Sequence, residues 1–99
     1  MRSIRVELHA RPEQRAELVA ALMAEASEVP ARFAGCERYA VFVHPADECR
    51  ILLYEEWTDS DAFAAFAESD YFETSGRALF PMVDGPPDSA YYDSVRVGP

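Results

Sequence analysis

The chain of 99 residues contains no lysine, and its nine basic residues are all arginine, set against eighteen acids for a formal charge of −9. A protein so acidic lacks the basic patch that nucleic-acid phosphates require, and it would be repelled by an anionic membrane surface. Long hydrophobic runs are also missing, which excludes a membrane-spanning helix. Histidine is scarce, at two residues, and so is cysteine, at two. There is no Cys-x-x-Cys, no His-Glu-x-x-His, no glycine-rich phosphate loop and no nucleophile elbow. Met1 leads at once into an alternating pattern with no apolar leader block, so the expected location is the cytoplasm. The length suits one domain over residues 1–99, with a thin margin of stability.

What remains is patterned. Ile4, Val6, Leu8 and Ala10 alternate with Arg5, Glu7 and His9, which reads as a half-buried strand, β1. Pro12, with Glu13 and Glu17 behind it, opens helix α1, expected over about Pro12 to Glu28. Leu18, Val19, Leu22, Met23 and Ala26 form its apolar stripe, and Val29-Pro30 ends it. Cys36 to His44 and Arg50 to Trp57 read as strands β2 and β3 of a hairpin turning at residues 45–48. Thr58 and Asp61 are spaced as a capping box before a short helix α2 carrying Phe63, Phe66 and Ala67. Ser69-Asp70 caps a further helix, α3, that runs to about Phe80, and Ala90 to Val97 forms the last strand, β4. The order βαββαβ predicts a ferredoxin-like α+β sandwich on an antiparallel sheet.

A four-residue turn sets His44 against Cys49 and Val41 against Leu52. Ala40, Phe42, Ile51, Leu53 and Trp57 then share one face, and Tyr39, Val41, Val43, Leu52 and Tyr54 the other. Helices cover only one face of such a sheet, so the second apolar face calls for a second copy of the chain. In this register Arg38 lies opposite Glu55. Cys36 and Cys49 stand at opposite ends of the hairpin, roughly 20–25 Å apart at ~3.3 Å per residue, too far for a disulfide. Cys36 and His44 are likewise too far apart to share a metal.

Ile51 to Asp59, with Tyr54-Glu55-Glu56-Trp57 at its centre, precedes an acidic Phe/Ala-rich helix and then Ser69-Asp70-Tyr71-Phe72. This succession, with Arg11-Pro12-Glu13 at the entry to α1, resembles the antibiotic biosynthesis monooxygenase family of dimeric α+β barrels. The resemblance spans about residues 4 to 97. It implies a homodimer with a pocket between the sheet and helices of each subunit, and oxygenation of an aromatic, polyketide or quinol-type small molecule without metal or flavin. Many members carry a histidine where this chain has Phe66 and another at Tyr71. No histidine occurs over residues 58–99, which argues against haem held in the manner of the haem-degrading branch.

The expected site follows from these residues. Trp57, the sole tryptophan, would stack on a planar substrate. Glu55 beside it would act as general base if burial raised its pKa, or would simply pair with Arg38. His9 would serve as a proton shuttle. Tyr71, Phe66, Phe72, Phe42 and Arg38 complete the expected substrate contacts, with no metal and no cofactor beyond molecular oxygen. Two other readings use the same fold: a non-oxidative isomerase or cyclase, and a non-catalytic small-ligand-binding dimer. An open cavity lined by Trp57 and Tyr71 would favour the oxygenase, and a cavity filled by Phe63, Phe66 and Phe72 the binding module.

Overall fold

A computed structural model describes residues 1–98. Strands β1 (Arg2–His9), β2 (Cys36–Val43), β3 (Arg50–Trp57) and β4 (Asp88–Asp93) form one antiparallel sheet in the order β2-β3-β1-β4. Helices α1 (Arg15–Arg32), α2 (Ser60–Ala67) and α3 (Asp70–Leu79) complete the ferredoxin-like α+β fold. Ile4, Leu8, Ile51, Leu53 and Trp57 point into the core, where they meet Leu18, Leu22 and Val29 of α1 and Phe66 of α2.

Helix α1 starts after a single 3-10 turn at Pro12–Gln14 and continues through Pro30 to Arg32, past its expected end. Proline at this point forfeits one N–H donor, and the Phe33 N–H still closes the helix on the Val29 carbonyl at 2.9 Å. The cap of α2 is Asp59, whose carboxylate accepts from the Ala62 N–H at 2.8 Å, so the expected Thr58–Asp61 box is not the cap. Ser69 caps α3 as expected. Strand β4 stops at Asp93, because its ladder with β1 runs out where Met1 meets Ser94. Val95 and Val97 lie exposed beyond it.

The hairpin register differs from the expected one by a residue. Val41 pairs with Leu53 and Val43 with Ile51. The cause is the turn: the Asp47 carboxylate accepts from the Cys49 N–H, and the Asp47 carbonyl accepts from the Arg50 N–H. Cys49 is thereby drawn into a loop of five residues, and the His44 N–H bonds to the Arg50 carbonyl. The slip exchanges the faces of β2. Tyr39 and Val41 join Ile51 and Leu53 on the helix face, while Ala40 and Phe42 join Leu52 and Tyr54 on the open face. Arg38 lands opposite Glu56 instead of Glu55. An irregularity between Cys36 and Arg38 returns Cys36 to the core beside Trp57.

The open face is mixed. Phe42, Leu52, Tyr54 and Tyr92 alternate across it with Arg5, Glu7, Arg38 and Glu56, and Glu7 pairs there with Arg50. Both cysteines are free thiols. Among the described residues, no helix is long and apolar enough to cross a membrane.

Candidate active site

Between the sheet, the helices and the segment following α3 lies a cavity of about 630 Å³, within the range of small-molecule sites. Ile4, Val6, Leu53, Phe63, Phe66 and Phe72 supply apolar wall. Tyr91 of β4 and the turn at Gly85, Pro86 and Pro87 border it on the other side. Gly85 holds φ +84°, a conformation favouring glycine, and so lets the chain turn back into β4.

Away from its exposed edge, where Arg11, Ser89 and Tyr91 stand, the cavity is faced by Glu25 from α1, Tyr39 from β2, Glu55 from β3 and Ser75 from α3. Glu55 is 5 % exposed. It occupies the inward position between Leu53 and Trp57, where strand alternation would place an aliphatic residue. The Trp57 indole N–H donates to its Oε1 at 3.0 Å. Burial pushes the Glu55 carboxyl up to about 7; the nearby Glu25 pushes in the same direction, and the indole bond works against both. Glu25 stands in register with Leu18, Leu22 and Val29 on the buried side of α1. Burial likewise raises its pKa, while a hydrogen bond from the Ser75 hydroxyl at 2.7 Å opposes the rise. Tyr39 is held protonated by burial and by both carboxylates. Among the described lining residues Arg11 is the one cation, and it is exposed at the rim.

The structure brings Glu55, Phe66 and Phe72 together on this cavity. Trp57 is 0 % exposed and does not line it. One ring face stacks on Phe66 with centroids 4.9 Å apart, and Phe63 meets it edge-on at 5.8 Å. Trp57 therefore reaches the cavity only through its bond to Glu55. Tyr71 sits behind the wall and donates its hydroxyl to Glu28 at 2.9 Å, with Arg32 over its ring. Burial first, and then the Glu28 bond, move its pKa up to about 12. His9, Arg38 and Phe42 lie on the open face of the sheet, away from the cavity. Among the described residues no group of three or more His, Cys, Asp or Glu side chains could hold a metal ion.

Residues 1–77 match the model of the antibiotic biosynthesis monooxygenase family. The chain belongs to this family. Three solved structures of proteins assigned to the antibiotic biosynthesis monooxygenases share its fold. One from Deinococcus radiodurans is 20 % identical at a TM-score of 0.89, over 100 % of this chain and 97 % of that one. Another from Caulobacter crescentus CB15 is 26 % identical at 0.89, over 96 % and 90 %. The third, from Nitrosomonas europaea, is 19 % identical at 0.84, over 97 % and 100 %. No curated protein matches the chain's sequence. Membership supports monooxygenase chemistry at the level of the family, whose enzymes generally bind small molecules and need no cofactor.

Within this antibiotic biosynthesis monooxygenase family member, sequence reasoning missed Glu25, Ser75 and Tyr39. The signal for Glu25 was its spacing: it falls three residues after Leu22 and four before Val29, both fully buried. Ser75 carried no signal of its own, and Tyr39 was assigned to the wrong face by the hairpin register.

Proposed function

We propose that this protein is a cofactor-independent monooxygenase of a small aromatic or quinol-type molecule, with Glu55 as its general base. The observation that carries the reading is the Glu55 carboxylate, buried on the cavity wall between Leu53 and Trp57 and poised to take up a proton near neutral pH. The substrate would lose a proton from an acidic O–H or ring C–H to Glu55. The resulting anion, rather than the protein, would then give electrons to O2. For a ring ketone with an adjacent CH2, the balance closes without a reductant: CH2 becomes C=O, one oxygen atom enters the product, and the other leaves with both hydrogens as water. The apolar walls would hold the flat anion and exclude solvent. Trp57 would act as a positioning residue, fixing the Glu55 carboxylate through its indole N–H.

The open sheet face supports a homodimer, in which Phe42, Leu52, Tyr54 and Tyr92 would be covered by the same residues of a second copy. Arg38 would then belong to the seam. His9 has no part in this reading, since it lies on the opposite side of the sheet from Glu55.

The test is O2 uptake by chelator-treated protein over a panel of anthrone- and quinol-type compounds. The expected result is turnover that Glu55→Gln reduces by about 10²–10⁴-fold. Trp57→Phe, which keeps the ring but deletes the donor, should move the pH profile of the rate upward. No oxygen consumption across the panel, or full activity of Glu55→Gln, would overturn the proposal. A product isomeric with its substrate would favour the isomerase reading, in which Glu55 moves a proton without oxygen.

A further inference from the structure

The cavity has an asymmetry of charge. Its inner polar groups are two carboxyls, from Glu25 and Glu55, together with hydroxyls from Tyr39 and Ser75. Among the described lining residues the one cation, Arg11, is at the exposed rim. Glu25 is not free to swing away: it is held from α3 by the Ser75 hydroxyl at 2.7 Å, and its backbone belongs to the buried side of α1. The Ser75 bond takes one Glu25 oxygen, and the indole of Trp57 takes one Glu55 oxygen. Each carboxyl keeps a second oxygen that can accept a hydrogen bond.

We infer that the cavity selects uncharged, hydroxyl-bearing aromatic molecules against their carboxylate analogues, and that Glu25, fixed by Ser75, is the residue that sets this preference. A phenol can donate its O–H to either carboxyl and place its ring against Phe63, Phe66 and Phe72. A carboxylate of the same shape has no donor to offer and brings a like charge beside two buried carboxyls. For charges roughly 6–10 Å apart at an effective dielectric constant of ~20, that repulsion weakens binding on the order of 10–100-fold. The inference rests on the cavity being the substrate site, and it does not require oxygenation.

Calorimetric titration of the full chain at pH 8 with 2-naphthol and with 2-naphthoate tests it, since the two share a ring system and differ in the polar group. The expected result is 2-naphthoate binding on the order of 10–100-fold more weakly than 2-naphthol. Glu25→Gln, whose amide oxygen still accepts from Ser75, should narrow this gap by tightening 2-naphthoate several-fold. Equal affinities, or a gap untouched by Glu25→Gln, would overturn the inference. Failure of both probes to bind at millimolar concentration would overturn it together with the reading of the cavity as the substrate site. The expected gap in a protein that consumes no oxygen would sustain the inference and reject only the oxygenase.

Discussion

Replacing Glu55 with glutamine should stabilise the protein above pH 7 and leave its stability nearly unchanged near pH 4. In the fold the carboxyl is pushed from its ordinary value of 4.5 up to about 7. Below pH 4.5 the folded and unfolded chains both hold this proton. Between 4.5 and 7 the unfolded chain releases it first, so stability falls as pH rises; above about 7 the loss is complete. At about 1.4 kcal/mol per factor of ten, ionised Glu55 costs the fold about 3 kcal/mol. Glutamine removes this cost and can still accept the Trp57 N–H. Comparing variant with wild type at each pH cancels the titration of the remaining acids, apart from Glu25, which loses one like-charged neighbour. Thermal unfolding followed by circular dichroism should then show an offset near zero at pH 4 that grows towards pH 8. It should reach roughly 12–24 °C there, at ~4–8 °C per kcal/mol for a domain of this size; water drawn into the cavity would bring it to the lower end. An offset that is the same at pH 5 and pH 8 would show that Glu55 ionises as an ordinary carboxyl, and would refute the reasoning.

Two further outcomes probe the fold around the site. A Cβ on Gly35 would lie 2.5 Å from the Ala62 Cβ and 3.3 Å from the Thr58 Oγ1. Gly35→Ala should therefore push α2 away from the β2 entry and cost about 1–3 kcal/mol in chemical denaturation; an unchanged midpoint would mean that α2 moves freely. Leu52→Glu adds a charge at the centre of the open face without touching the core. It should yield a folded monomer by sedimentation, and a wild type that is itself monomeric at micromolar concentration would remove the basis for the dimer.

The order of elements was legible because β1, β3 and the α2–α3 pair each carry a clear period or cap. The hairpin register was not, because it depends on one Asx-type turn at Asp47 that adds Cys49 to the loop. That single residue moved Tyr39 into the cavity and took Arg38 away from Glu55. The buried side of α1 differs from the expected apolar stripe for another reason. Counting only apolar residues placed Met23 on the buried side, where it is in fact 57 % exposed, and passed over Glu25, which the helix buries. Hydrophobic periodicity alone does not single out a polar residue on the buried side of a helix. Trp57 was correctly assigned to the face of Glu55, but its packing between Phe63 and Phe66 is a tertiary feature that strand periodicity cannot express.

The inward position of Glu55 is independent of the hairpin error. Along β3 the buried residues are Ile51, Leu53, Glu55 and Trp57, every second one. The strand's own alternation therefore sends Glu55 inside whatever β2 does. The intervening Tyr54 and Glu56 bond to each other on the other face, the tyrosine hydroxyl donating at 2.7 Å. An aliphatic residue at position 55 would satisfy the core at least as well and would carry no ionisation cost. A cost of about 3 kcal/mol is a large share of the ~5–15 kcal/mol that stabilises a typical domain. Among the described residues no arginine offsets it, Arg38 being on the other side of the sheet, and the chain has no lysine. The Trp57 indole orients the carboxylate without neutralising it. A buried, oriented and uncompensated acid on a cavity wall is expensive as structure and useful as a base, and that balance favours chemistry over packing as the reason it is there.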